Sequence, residues 1–322
     1  MKNLATARVP YAGLSKSLYE SHYLTAVDPD GGRALWLRHT ALKRPGQTAS
    51  PTVWLTSFDR SAPAPVAVRV TADEAVADPG SAYARSSLGE LGPGRARGAV
   101  GSAAWDLRWE SSGPEIPYLP ARRLYDRPVP RAGGAVLVPT TTVTGTVTLP
   151  SADAGPLGDE TQAEFEFDGW NGMVGHNWGS EHAEQWAWLH VGGLGEDRRA
   201  WIDLALARVR IGPLLTPWLA TGAVALDGQL RRPGHRGRVH LLRDGERTLA
   251  SVPLSGGERL ELELTAPSSA TIRWDYASPG GRGREVEHCS VADASIRLGT
   301  RRWAVGGRAS VEHGWPAALL PA

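Results

Sequence analysis

Alternation of apolar and polar positions with a period of two is the dominant pattern along this chain. From 143 to 149, Val143, Gly145, Val147 and Leu149 alternate with Thr144, Thr146 and Thr148; from 260 to 265, Leu260, Leu262 and Leu264 alternate with Glu261, Glu263 and Thr265. Successive side chains of a strand point to opposite faces, so both runs predict strands with one dry and one wet face. Short turn-bounded runs at 34–39, 52–58, 105–109, 295–298 and 303–311 predict further strands. Asp227-Gly228 and Asp244-Gly245 each divide strand-like runs and supply the positive φ angles of tight hairpins. A helical pattern is found only at 161–167 and in the first twenty residues.

Composition strengthens this picture. The 322 residues include 38 glycines and 24 prolines, scattered without period, which argues against long helices and against collagen. Many short strands with frequent turns predict an all-β fold of antiparallel sandwiches or barrels. The stretch SADAGPLGDE at 151–160 is small, polar and broken by glycine and proline, and it divides the chain into two candidate domains, 1–155 and 156–322. Two barrels of similar size could be diverged duplicates. The glycine- and arginine-rich segment 89–101 is expected to be a surface loop of the first domain, and the arginine-rich stretches 231–238 and 282–284 to be solvated hairpin tips.

Charge and cysteine content exclude several function classes. The 35 basic residues nearly balance 34 acidic ones, so no global field draws the protein to nucleic acid. The arginine-rich stretches also lack the interleaved aromatics that single-strand binding uses. One cysteine, Cys289, leaves no internal disulfide and no cysteine-based metal site, and suits a reducing compartment. No segment has the length of a membrane span and the N-terminus lacks a signal-peptide core, so a cytoplasmic location is expected, with room for transient membrane contact. Neither a GxSxG nucleophile elbow nor a GxGxxG loop is present. His176, His182 and His190, with Glu181 among them, lack His-x-His or HExxH spacing, so neither metal nor cofactor is expected.

Candidate chemistry concentrates where tryptophan does. Trp170, Trp178, Trp186, Trp188 and Trp201 fall close together in a protein with 13 tryptophans. Read as strands, Trp186, Trp188 and His190 share one face opposite Ala187, Leu189 and Val191, and Trp201 and Asp203 share another with Ala205 and Ala207. An aspartate in such company, if it faces inward, is desolvated and holds its proton more tightly. The same residues also admit a structural reading, in which the indoles are core, Asp203 is satisfied by an arginine or backbone amides, and His176 braces the turn at Gly179.

The run GHNWGSEHAEQWAWLH at 175–190 resembles the central motif of the carotenoid 1,2-hydratase (hydroxyneurosporene synthase) and tocopherol cyclase-like superfamily, with a looser likeness at 20–40. In the hydratases a His-x-Trp element is followed downstream by Tyr-x-Asp, and the aspartate is regarded as the proton donor. The counterparts here are His176 and Trp178, then Trp201 and Asp203; Gly175 replaces the aspartate that commonly precedes the histidine, and Trp201 replaces the tyrosine. The resemblance implies two lipocalin-like barrels. It also implies Asp203 and His176 as catalytic residues, with Trp178, Trp186, Trp188, His190 and Trp201 around a hydrophobic substrate. Protonation of an alkene by Asp203 would give a carbocation that indole faces stabilise, each by roughly 2 kcal/mol or more when dry. The expected activity is hydration or cyclisation of an isoprenoid-like alkene; the alternative is a carrier that binds a hydrophobic ligand without turnover.

Overall fold

The computed structural model describes residues 4–13, 15–110, 114–119, 124–125, 132–150, 162–194, 197–279 and 283–316. Among these residues the strands form one eleven-stranded sheet, one ten-stranded sheet and a two-stranded ribbon, with every pairing antiparallel. The first sheet runs Val66–Thr71, Pro51–Asp59, Arg33–Lys43, Leu18–Val27, Gln162–Gly179, Ala132–Pro150, Ala103–Trp109, Arg95–Val100, Gly89–Gly92 and Ala84–Ser86, with Ile116–Pro117 laid against Ala132–Pro150. The second runs Gln229–Arg231, Leu219–Leu226, Asp197–Arg208, Gln185–Leu194, Arg301–Trp315, Arg284–Leu298, Arg259–Thr265, Arg247–Pro253 and His240–Asp244, with Ile272–Tyr276 laid against Arg284–Leu298. Each sheet begins with a meander whose first strand pairs with the last strand of the same sheet, so one topology is used twice. No helix among the described residues is long and apolar enough to cross a membrane.

The patterned runs form strands as the alternation requires. Asp227 and Gly228 both have positive φ, at 53° and 70°, and close a two-residue hairpin between Leu226 and Gln229. Other segments depart from expectation. Residues 162–167 are strand rather than helix: Phe165 and Phe167 turn inward while Glu164 and Glu166 stay exposed, a period-two pattern. Among the described residues of the first twenty, only Val9–Tyr11 forms a 3-10 turn. The supposed loop 89–101 contains the strands Gly89–Gly92 and Arg95–Val100, where the Trp105 ring lies over the space that side chains at Gly89 and Gly98 would fill. Arg231 pairs with Glu258 at 2.9 Å, Arg232 reaches the Pro117 carbonyl at 2.7 Å and Arg284 is buried, so these three are anchored; Arg236 and Arg238 are exposed as expected, and Arg282 lies outside the described residues.

The central strands are covered on both faces. In the first sheet Leu24, Leu35, Leu37, Val53, Leu55 and Val174 face that sheet's own core. Their neighbours in sequence, including Val27, Trp36, Trp54 and Phe58, face the second sheet and share its core cluster. In the second sheet Leu189, Ile202 and Leu204 are fully buried on the inner face, each worth about 1.5–3 kcal/mol of burial, while Trp188 and Trp201 face the first sheet with Tyr23 and Met173. The segment 151–160 lies outside the described residues. The strand Gln162–Gly179 belongs to the first sheet, and the chain enters the second only at Gln185, so His176 and Trp178 lie in a different sheet from Trp201 and Asp203.

Candidate functional site

The layer between the two sheets is unusually polar. At its centre stands Asp203 on the strand Asp197–Arg208, with no solvent exposure. Its register partner His190, on Gln185–Leu194, approaches Oδ2 through Nδ1 at 3.2 Å. Trp188, two residues earlier on the same face, donates its indole N–H to the same oxygen at 3.1 Å. Across the layer, the Tyr118 hydroxyl donates to Oδ1 at 2.5 Å and is itself hydrogen-bonded to Tyr23. Burial pushes both phenols above their usual range, so they keep their protons and act as donors. Ile116, Val136, Met173, Trp201 and Ala223 close the surroundings. Among the described residues, His190 is the only ion-pair partner of Asp203.

Two glycines make this centre fit. Gly175 leaves no Cβ because the Tyr23 phenol occupies that place, so the position where the resemblance has an aspartate supplies room for a tyrosine. Gly222 has φ +105°, and a Cβ there would press into the backbone oxygen of Asp203. Gly222→Ala is therefore expected to cost about 1–3 kcal/mol in urea denaturation; an unchanged midpoint would show that the strand pairing at Asp203 tolerates the extra methyl.

A second carboxylate lies in the same layer. Glu312 accepts hydrogen bonds from Trp186 Nε1 at 3.0 Å and from the Tyr276 hydroxyl at 2.8 Å, and His288 Nδ1 lies 3.4 Å away. Burial works to raise Glu312, but the His288 hydrogen bond, together with the charges of His288 and Arg38, brings it down to about 2. His288 Nε2 is in turn 2.7 Å from Ser290 Oγ. Arg38, also buried, binds Ser21 Oγ at 2.5 Å and lies over the Tyr276 ring at 4.4 Å.

The expected site residues thus separate into groups. Asp203, Trp188, His190 and Trp201 come together. Trp186 faces the same layer but belongs to the Glu312 group. His176 and Trp178 do not join them: Gly175 faces Tyr23 and the layer, so by alternation His176 and Trp178 point to the opposite face of the first sheet. There His176 contacts Glu20, and Trp178 lies under the Arg8 guanidinium at 4.0 Å. Tyr118, Tyr23 and Glu312 are the site residues that the sequence did not indicate. Two hollows among the described residues, of about 40 and 10 Å3, lie away from Asp203.

Two sheets of one topology, packed face to face over a buried acid, define a lipocalin-like all-β architecture. That architecture is shared with CghA, at 13% identity and a TM-score of 0.61 over 97% of this chain and 93% of that one. A structure of CghA with Sch210972 matches with 12% identity, TM-score 0.59 and coverage of 97% and 94%. A candidate AttH protein from Nitrosomonas europaea matches with 12% identity, TM-score 0.54 and coverage of 94% and 93%. No family model and no curated protein matches the chain. The relationship is one of fold.

Proposed function

We propose that the protein is an enzyme that converts a hydrophobic, alkene-containing small molecule by proton transfer from Asp203. The observation that carries this reading is an aspartate with no exposure whose neighbours are phenols, an indole and an imidazole rather than a guanidinium. In the reaction, the O–H bond of the Asp203 carboxyl breaks as a C–H bond forms on the alkene, leaving a carboxylate and a carbocation. Trp188 and His190 are already placed to hydrogen-bond Oδ2 of the carboxylate that develops, so they favour proton release without reorganisation at the moment of reaction. The indole faces of Trp188 and Trp201 stabilise the cation.

The apolar closure around Asp203 favours capture of the cation by a second double bond of the same molecule, giving a ring, over capture by water. Loss of a proton back to Asp203 then completes a cyclisation. Tyr118 stands where the substrate must approach Oδ1, and it is carried next to a strand of only two residues, Ile116–Pro117. Substrate entry displaces that phenol. That CghA is known with a bound small molecule, Sch210972, fits a fold that accommodates such ligands.

The test is incubation of the purified chain in D2O with linear isoprenoid polyenes, followed by mass spectrometry. A cyclised product carries one solvent deuteron at the protonated carbon, and a hydrated one additionally gains the elements of water. Retention of polyene without any product, in wild-type protein and in Asp203→Asn alike, would overturn the enzymatic reading and leave a carrier.

A further inference from the structure

The inner face of the first sheet holds a second buried polar cluster that the proposed reaction does not use. His39, His22 and His176 stand side by side in register on three adjacent strands, and Glu20 shares their face two residues from His22. The ligand atoms of Glu20, His22 and His176 lie within 4.8 Å of one another, and all three side chains are buried.

Hydrogen bonding fixes which atoms are free. A carbonyl can only accept, so the 2.6 Å contact with the Leu4 oxygen places a proton on His176 Nδ1. A neutral imidazole with its proton on Nδ1 keeps a lone pair on Nε2. That Nε2 lies 2.9 Å from Glu20 Oε1, so the two atoms face one common point. Likewise the Ala5 carbonyl accepts from His22 Nε2 at 3.2 Å and leaves Nδ1 free. Histidines that bind metals are characteristically held this way, with one nitrogen on the ion and the other N–H on a carbonyl or carboxylate. The Glu20 carboxylate is oriented by the backbone N–H groups of Arg8 and Val9, at 2.7 and 2.9 Å.

Room for an exchangeable ligand adjoins the cluster. A hollow of about 40 Å3 is lined by Glu20, His22 and His39, space for about three waters. His39, 4% exposed, lines the same hollow, and its Nε2 has no hydrogen-bond partner among the described residues.

From this geometry we infer that Glu20, His22 and His176 form a binding site for a divalent transition-metal ion of the zinc type. Two histidines and one carboxylate with a position left for water are a ligand set of open zinc centres. His39 accepts the hydrogen bond of the metal-bound water. Sequence spacing gave no sign of the site because its ligands come from opposite ends of the first sheet's strand sequence.

The full-length protein, freed of metal by a chelator and dialysed, is titrated with Co2+ followed by visible absorption and with Zn2+ followed by calorimetry. One ion per chain is expected, with ligand-field bands of a low-coordinate nitrogen and oxygen site. Glu20→Gln and His176→Gln are each expected to weaken binding about 100-fold or more, at or beyond the upper range for loss of a supporting hydrogen bond. Replacement of the exposed His235 and His240 should leave it unchanged. Should the buried variants fail to fold, X-ray absorption of the zinc-loaded wild-type protein decides: two imidazoles and a carboxylate oxygen at about 2.0–2.2 Å support the site. Absence of stoichiometric binding, or an ion held by water oxygens or by the surface histidines, overturns it.

Discussion

Asp203→Asn is expected to lower turnover by roughly 10²–10⁴-fold, the range that a positioned general acid contributes, while leaving the affinity for the hydrophobic ligand within a few-fold of wild type. Asparagine keeps the shape and one carbonyl oxygen, so Tyr118 retains an acceptor at the Oδ1 position. Its amide group, however, meets the donors of Trp188 and His190, which costs about 1–3 kcal/mol of stability. Circular dichroism and ligand binding measured beside turnover separate the two effects. A variant that folds, binds and still turns over at the wild-type rate would remove Asp203 from the chemistry.

Acid is expected to destabilise the protein in two stages. Burial pushes His313 down to about 3, with the neighbouring Arg243 charge acting in the same direction. Its ring therefore takes up a proton more readily in the unfolded chain than in the folded one. The stability it contributes is complete above the ordinary value of 6.5 and falls as pH drops from there toward 3. By pH 4.5 the loss is about 3 kcal/mol. Glu312, brought down to about 2, follows the carboxylate pattern: its contribution is present above the ordinary value of 4.5 and is lost as pH falls from there toward 2. Urea denaturation at a series of pH values should show stability falling from pH 6.5 and steepening below 4.5. Glu312→Gln should remove only the second stage. A flat profile between pH 7 and 4.5 would contradict the burial of a neutral His313.

Much of the architecture was legible because alternation is a local property. Leu260 to Thr265 and Val143 to Leu149 state their two faces within a few residues. The grouping of Trp188 and His190 with Trp201 and Asp203 was legible for the same reason, since parity within each strand placed the two pairs on definable faces. What parity cannot tell is which sheet a strand enters. His176 and Trp178 were grouped with Asp203 by closeness in sequence, yet the strand Gln162–Gly179 pairs with Leu18–Val27, and the motif histidine turns to the other face. Tyr118 was hidden because it approaches Asp203 from 85 positions away, on a segment with too few residues to show any period. The helical reading of 161–167 gave way because Phe165 and Phe167 bury one face of a long central strand.

The layer that holds Asp203 is built from both halves of the chain: Tyr23 and Tyr118 come from the first sheet, Trp188, His190 and Asp203 from the second. Neither half holds the whole cluster around Asp203. The protein is in effect two subunits fused into one polypeptide, and the shape of the layer between them is set by how the sheets pack as much as by which side chains line it. Selectivity in such a molecule can drift through substitutions that only tilt one half against the other, leaving the acid and its donors untouched.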